Sequence, residues 1–307
     1  MKIIFGFRGI RRYRKPVVAL GIFDGMHRAH RQILKYVVRL SRRIKGKSIV
    51  VTFWPHPQKE GSLYSLEHRL KLISQLGIEV CIVMKFNKEF SRILAGDFIK
   101  DILMRKIGAH YICVGKNFRF GKATKGNFKT LDRLSRIYNF KLKVFDVIKI
   151  NHKPISSTYV RRLISRGDLA SAQRLLCHPV AVMGSVIKGV SLGRGLGFPT
   201  ANINPHHEIL PPSGVYTVKV IFNNKKLNGV CYIGRKSAFK NHSFPVKQKT
   251  KCIEVHIFNF KKSIYGKNLE IQFIKRIRGE KRFACHQDLA EQIKKDVALA
   301  KKVIPPN

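Results

Sequence analysis

Acidic residues are scarce in this chain. It has 17 Asp and Glu against 61 Lys and Arg over 307 residues, a formal net charge of +44. Two explanations compete: a polyanionic partner such as nucleic acid or a membrane surface, or a general enrichment in basic residues. The basic residues run along the whole chain, with no low-complexity segment and no basic tail. That spread favours general enrichment and weighs against a nucleic-acid partner, although the charge would still gather small phosphorylated substrates. Long apolar runs are missing too. None approaches the roughly 18 residues of a membrane span. The opening Met1-Lys2-Ile3-Ile4-Phe5-Gly6-Phe7 is too short an apolar stretch for a secretory signal and is followed at once by Arg8, Arg11, Arg12 and Arg14. A cytoplasmic protein without a membrane partner is expected. The six cysteines form no C-x-x-C pair, which argues against a disulfide framework or a zinc site and for buried free thiols. No G-x-x-x-x-G-K-[ST] loop and no G-x-G-x-x-G turn occurs, and there is no internal repeat. Nothing in the sequence bears on the oligomeric state.

What is present is a length suited to two domains and a hydrophobic content of 44%, ordinary for a globular chain. Apolar runs at 17–20, 47–53, 79–84, 110–115 and 142–147 read as strands. Helical spacing appears at 31–40, 66–76, 90–107 and 128–138. This alternation predicts an α/β domain, a Rossmann-like parallel sheet with helices on both faces. Its ligands should sit beyond the carboxyl ends of the strands. Two further helices are expected before Pro179, the second capped by Asp168, and the boundary is placed near 178–182. This gives domains at 1–180 and 181–307. Beyond the boundary, strands at 180–186, 214–222, 228–233, 252–258 and 269–274 predict a small antiparallel β-barrel or sandwich. Ile253, Val255 and Ile257 should share one face, with Glu254 and His256 on the other. A C-terminal helix should start at Asp288.

Four stretches carry chemistry in the first domain. Gly21-Ile22-Phe23-Asp24-Gly25-Met26-His27-Arg28-Ala29-His30 is a strand, a tight turn and a helix start. The unpaired amides and the dipole of a helix start favour an anion, and His27 and His30 lie on one side of its first turn. Phosphate binding by the two histidines is the expectation, with Asp24 orienting the loop. A metal site would need a third ligand, and none is evident nearby. Thr52-Phe53-Trp54-Pro55-His56-Pro57 and Asn117-Phe118-Arg119-Phe120-Gly121 lie at the same sheet edge. Each is either a plain loop or part of the ligand lining. Ser156, Ser157, Thr158 and Arg161 form a second helix start rich in donors. In the second domain, Leu192-Gly193-Arg194-Gly195-Leu196-Gly197-Phe198-Pro199-Thr200-Ala201-Asn202 combines glycines that let phosphates approach the backbone with two side-chain oxygens suited to Mg²⁺. Glu254 reads equally as a solvated strand residue or as a general base.

In order and over nearly the whole length, these motifs resemble the bacterial bifunctional riboflavin kinase/FAD synthetase family. The first domain is similar to nucleotidylyltransferases through G-x-F-D-G-x-H-x-x-H at 21–30, T-F-x-P-H-P at 52–57, G-x-N-F-x-F-G at 115–121 and I-S-S-T-x-x-R at 155–161. The second resembles a flavokinase barrel through L-G-R-x-x-G-F-P-T-A-N at 192–202, G-V-Y at 214–216, E-V-H at 254–256, Y-G-K at 265–267 and I-R-x-E-x-x-F at 277–283. The resemblance implies phosphorylation of riboflavin to FMN and adenylylation of FMN to FAD, with ATP as co-substrate and Mg²⁺ as cofactor. It implies that Phe23, Asp24, Gly25, His27, His30, Asn117, Ser157, Thr158 and Arg161 bind ATP and phosphate for adenylylation. Gly193, Arg194, Gly197, Thr200 and Asn202 would do so for the kinase. Thr200 and Asn202 would hold Mg²⁺, Glu254 would be the base, and Pro55, His56, Phe118 and Arg278 would line flavin. Two departures stand out. The family's H-x-G-H reads His27-Arg28-Ala29-His30, and its G-T-R-P-T reads Gly234-Arg235-Lys236-Ser237-Ala238. The first should matter little, because helical backbone suits alanine. The second removes a fixed turn and a hydroxyl, so the kinase is the activity more exposed to loss.

Overall fold

The computed structural model describes residues 1–56, 62–150, 152–189, 192–206, 208–234 and 251–304. Pro57 and the altered stretch at 235–238 lie outside them, as does the Arg194 side chain. The chain divides into two compact units, Met1–Ser157 and Thr158–Asn307.

The first unit is built on six parallel strands: β1 (Lys2–Phe5), β2 (Val17–Leu20), β3 (Ser48–Trp54), β4 (Val80–Lys85), β5 (Tyr111–Gly115) and β6 (Lys141–Phe145). They are ordered β1-β4-β3-β2-β5-β6. The central strands are short apolar runs buried on both faces, with Val17, Val18, Ala19, Ile49, Val50 and Val51 all fully buried, as a sheet covered by helices requires. From β2 the chain winds outward through β3 and β4, then crosses to the other side of β2 to form β5 and β6. The strand order therefore reverses between β2 and β5, and a crevice at the carboxyl ends of those two strands is where ligands bind in this topology. Helix α1 (Arg28–Arg43) follows β2 and buries Ile33, Leu34, Val37 and Val38. Helix α2 (Leu66–Ser74) follows β3, with Ser65 as its N-cap.

The helix expected at 90–107 is broken into Lys88–Ser91, Ala95–Asp97 and a π-helical stretch Phe98–Ile107. Gly96 lowers helix propensity there, and Gly108 ends the stretch in left-handed conformation at φ 74°. The helix at Phe128–Tyr138 has the expected limits and carries an Asn127/Thr130 capping box. A short hairpin, β7 (Lys149–Ile150) with β8 (Lys153–Pro154), was not expected and closes the unit.

The second unit opens with helices Ser157–Arg166, whose first residue is still counted with the first unit, and Leu169–Leu176. Asp168 caps the latter by accepting from the Ser171 amide. Among the described residues six antiparallel strands follow: β9 (Ala181–Ile187), β10 (Ala201–Asn204), β11 (Gly214–Phe222), β12 (Lys225–Gly234), β13 (Cys252–Ile257) and β14 (Asn268–Arg278). They close into a barrel in the order β10-β13-β12-β11-β14-β9. Of the two expected architectures the barrel is thus the one adopted. Strand β10 was read only as an extended loop end, and the short helix Leu192–Gly195 was not foreseen. The alternation on β13 is as expected: Ile253, Val255 and Ile257 are buried and Glu254 and His256 half-buried. The C-terminal helix His286–Val303 packs Val297 and Ala300 with Val215, Val230 and Tyr232.

Candidate active sites

In the first unit the turn after β2 is shaped by residues that pay a backbone penalty. Phe23 and Met26 both adopt left-handed backbone, at φ 54° and 44°, a conformation costing about 1 kcal/mol or more for a non-glycine residue. Both side chains are buried, at 1% and 0% exposure, so apolar burial of about 1.5–3 kcal/mol each offsets the strain. Asp24 is buried and accepts from the Leu63 amide at 2.9 Å. Gly25 leaves no room for a side chain: a Cβ there would sit 2.8 Å from Leu63 Cδ1 and 3.3 Å from Ser157 Oγ. The carbonyl of Ile22 accepts from Thr52 Oγ1 at 2.8 Å and from Arg69 Nη1 at 2.7 Å.

His27 is the N-cap of α1, and its Nδ1 accepts weakly from the His30 amide at 3.5 Å. That bond assigns the proton of neutral His27 to Nε2. The two imidazoles stack with centroids 3.7 Å apart, and Phe23 meets His30 edge-on at 5.3 Å. Burial pushes the His27 pKa down to about 4. It pushes His30 well below its ordinary range, with the nearby His27 and Arg69 acting in the same direction. Both rings are therefore neutral at pH 7 and offer N–H groups instead of charge. The Nδ1 of His30 has no hydrogen-bond partner among the described residues. The helix start adds the amides of Arg28 and Ala29, which have no intrahelical acceptor. Ala29 lies within that first turn.

The loop after β5 stands at the neighbouring strand end. Asn117 is exposed there and Phe118 half-buried, with the Phe118 ring stacked on Phe120 at 5.6 Å. Gly121 is left-handed at φ 71°, and a Cβ there would meet the Ala95 backbone at 2.7 Å. Pro55 and His56 follow β3, exposed and half-buried respectively. The structure thus gathers Phe23, Asp24, Gly25, His27, His30 and Ser157. Thr158 and Arg161 belong to the second unit, where buried Arg161 donates from Nη1 to Thr158 Oγ1 at 3.4 Å.

In the second unit, Glu254 on β13 is flanked in register by Asn202 on β10 and Tyr232 on β12. Directly opposed residues share a face with Cβ atoms about 5 Å apart, so all three project from the outside of the barrel. Tyr232 donates to Glu280 at 2.8 Å. Burial and then that carboxylate push its hydroxyl pKa up. The loop before β10 is tied to the same face by His256, whose Nδ1 lies 2.9 Å from the Pro199 carbonyl. Phe198 packs edge-on to the His256 ring at 5.6 Å. Gly197 is left-handed at φ 83°. A Cβ at Gly193 would fall 2.5 Å from the Phe198 carbonyl and 3.3 Å from Thr200 Oγ1. Arg278 binds Asp296 of the C-terminal helix, from Nε at 3.0 Å and Nη2 at 2.8 Å.

Arg69, Tyr232 and Asp296 were not singled out from the sequence, and Thr52, His256 and Glu280 fell within its motifs without a site role of their own. Arg69 was the most findable. It falls on the apolar face of α2, three residues after Leu66 and three or four before Leu72 and Ile73, where an arginine needs a buried partner. Among the described residues no three His, Cys, Asp or Glu cluster as a metal site, and no helix is long and apolar enough to cross a membrane.

A parallel-sheet domain with a histidine-bearing turn and helix start at its switch point, followed by a closed barrel bearing a carboxylate beside a glycine loop, has the layout of a two-domain nucleotide-dependent transferase. Comparison with known proteins gives the particular family. Residues 10–159 match the FAD synthetase family and residues 176–304 the riboflavin kinase family. The chain is 33% identical over 98% of both chains to the bifunctional riboflavin kinase/FMN adenylyltransferase of Buchnera aphidicola (Schizaphis graminum). It is 36% identical to that of Bacillus subtilis, over 92% of this chain and 90% of the relative. A crystal structure described as a macrolide-efflux protein from Streptococcus pneumoniae superposes with a TM-score of 0.81, 24% identical over 96% of this chain and 97% of that one, a likeness of fold alone. The chain belongs to the bifunctional riboflavin kinase/FMN adenylyltransferase family.

Proposed function

We infer that this chain makes FMN from riboflavin at the barrel and FAD from FMN at the parallel-sheet domain, using ATP at both sites. The observation that carries the reading is two unlike arrangements in one chain, each suited to phosphate: neutral, stacked His27 and His30 at a helix start, and Glu254 registered beside Asn202 behind a glycine loop. The two domains are taken as 1–180 and 181–307.

At the sheet domain the FMN phosphate attacks the α-phosphate of ATP and pyrophosphate leaves. The nucleophile already carries charge, so no covalent residue and no strong base is needed. What the reaction requires is hydrogen-bond donors around a crowded, increasingly charged phosphate. The imidazoles of His27 and His30 and the first amides of α1 supply them. Being neutral, the rings donate without forming a tight ion pair with the ground-state polyphosphate. Asn117 and Ser157 are assigned to the same phosphates, and the roles of Thr158 and Arg161 rest on their match to the family motif. Pro55, His56 and Phe118 are assigned to flavin.

At the barrel the 5′-hydroxyl of riboflavin attacks the γ-phosphate of ATP, Glu254 takes its proton, and ADP leaves as the β–γ bridging bond breaks. Gly193 and Gly197 let the loop backbone approach the phosphates. The residues present fit Mg²⁺, which keeps several waters and substrate phosphates and asks few oxygens of the protein. Thr200 Oγ1 lies in the cradle that a Cβ at Gly193 would invade, at 3.3 Å, and Asn202 lies against Gly189. Thr200 and Asn202 are the residues that would hold the ion, which neutralises phosphate charge when bound. A cytoplasmic location goes with the reading, since both reactions draw on ATP.

The test is chromatography of the purified protein with riboflavin and Mg·ATP, then with FMN and Mg·ATP. FMN and FAD are expected in turn. Glu254→Gln should stop FMN formation and leave FMN adenylylation intact, whereas His30→Ala should do the reverse. Parallel loss of both steps in each variant, with the fold intact, would count against two sites. Adenylylation of FMN with riboflavin untouched in the wild type would mean that the altered 234–238 loop has cost the kinase.

A further inference from the structure

Among the described residues the largest fully buried side chain is not apolar. It is Arg69, on α2, with 0% exposure. Enclosing a guanidinium costs several kcal/mol unless its donors are met, so a fold that does so calls for an explanation. Arg69 Nη1 donates to the Ile22 carbonyl at 2.7 Å, and Nη2 donates to the Phe53 carbonyl at 3.2 Å. Its guanidinium lies 5.4 Å from the centre of the Trp54 ring. Nε has no hydrogen-bond partner among the described residues. Ile22 opens the phosphate turn and Phe53 is the second-last residue of β3, so one planar fork joins the two backbone segments that border the nucleotide site. Thr52 Oγ1 donates to the same Ile22 carbonyl at 2.8 Å, which leaves that peptide little freedom to rotate.

We propose that Arg69 is a positioning residue for adenylyl transfer: by gripping the carbonyls of Ile22 and Phe53 together, it locks the β2–α1 turn to the end of β3 and so fixes where His27 and His30 stand. This rests on the reading of that turn as the polyphosphate site. The geometry suits arginine in particular, because a fixed planar fork reaches two carbonyls at once and an ammonium on a flexible stem does not. A cation beside the turn also bears on the His30 ring. The groups acting on His30 are His27, the N-cap of its own helix, and Arg69 on α2; Arg69 helps keep His30 unprotonated, and the Asp24 carboxylate acts on Arg69 in turn. Donation of neutral N–H groups, as the reaction needs, is thereby secured.

The test uses the full chain as Arg69→Lys and Arg69→Met. The single tryptophan, Trp54, sits against Arg69, so its emission reports whether the turn region is folded. FMN formation at the barrel reports whether the rest of the protein is intact. Expected for Arg69→Lys is native-like Trp54 emission, unchanged FMN formation, and a loss of kcat for FAD formation of about tenfold to a hundredfold, in line with small misplacements in active sites. The apparent KM for ATP should change less. In an NMR titration of the imidazoles without substrate, the His30 pKa should rise in Arg69→Met relative to wild type. If Arg69→Met does not fold, Arg69→Lys decides alone. FAD formation within twofold of wild type in a folded Arg69→Lys protein would overturn the proposal, as would a His30 titration unmoved by a folded Arg69→Met. A wild-type protein that forms no FAD would instead sink the functional reading, and the histidine titration would still test the clamp.

Discussion

Asp296→Asn should unfasten the C-terminal helix from the barrel and take the kinase with it. Asp296 is 3% exposed and accepts two donors of Arg278, Nε at 3.0 Å and Nη2 at 2.8 Å, with a third bond from Gln292 Nε2 at 3.0 Å. The Arg278 side chain is 21% exposed. Replacing the carboxylate by an amide of the same size leaves the guanidinium without its counter-charge. Breaking such a buried pair costs roughly 3–5 kcal/mol, and partial solvation of Arg278 puts the expected cost at the lower end, about 3 kcal/mol. For a unit of about 150 residues this corresponds to a fall in Tm of roughly 6–12 °C. The helix covers Val215 and Val230 close to Tyr232, which flanks Glu254, so FMN formation should fall well below the melting temperature. The assay is calorimetric or circular-dichroism melting of the full chain, alongside separate turnover of riboflavin and of FMN. A variant that melts within 2 °C of wild type and phosphorylates riboflavin normally would refute the argument. A stable variant with a raised KM for riboflavin would show instead that Arg278 serves the flavin directly.

Three further outcomes are expected. His27 has its pKa lowered by burial from 6.5 to about 4, so the unfolded chain binds the proton more readily than the folded one. Stability is then full above about pH 6.5 and lost as pH falls towards 4, by about 3 kcal/mol for this residue alone. Urea midpoints followed by Trp54 fluorescence should decline across that window, less steeply in His27→Gln, and a flat profile would contradict burial of the ring. Gly25→Ala places a Cβ 2.8 Å from Leu63 and 3.3 Å from Ser157 Oγ. FAD formation should drop about tenfold or more with FMN formation unchanged, and equal loss of both would argue against separate sites. Gly193→Ala, with its Cβ 2.5 Å from the Phe198 carbonyl, should raise the KM for ATP in riboflavin phosphorylation and spare FMN adenylylation, as measured by initial rates.

Much of the architecture was legible because the signals were local. Short, wholly apolar runs such as Val17-Val18-Ala19-Leu20 alternate with amphipathic helices, and that alternation alone dictates a parallel sheet. The in–out pattern of Ile253 to Ile257 gave the barrel face that bears Glu254. Other features depended on contacts far apart in sequence. The hairpin of β7 and β8 and the short strand β10 have too few residues for a periodic signal, and β10 exists because β9 and β13 pair with it on either side. The break of the helix at 90–107 lies in backbone winding, to which side-chain periodicity is nearly blind. At the sites, His27, His30 and Glu254 could be chosen from motif and spacing. Arg69 could not be tied to the site, because its partners are the backbone carbonyls of residues 47 and 16 positions away, and a carbonyl leaves no mark in a sequence. Arg278 shows the converse: its motif suggested flavin, and its bond to Asp296 could not be read from a separation of 18 residues.

The central claim is two activities in one chain, run in series at independent sites. The most direct measurement is a time course of riboflavin with excess Mg·ATP, the flavins separated by chromatography, for wild type, Glu254→Gln, His30→Ala and an equimolar mixture of the two variants. Wild type should pass through FMN to FAD. Glu254→Gln alone should form neither product, His30→Ala should stop at FMN, and the mixture should recover FAD because one variant supplies the substrate of the other. A mixture that stays at FMN, with each variant folded and His30→Ala making FMN normally, would contradict the account.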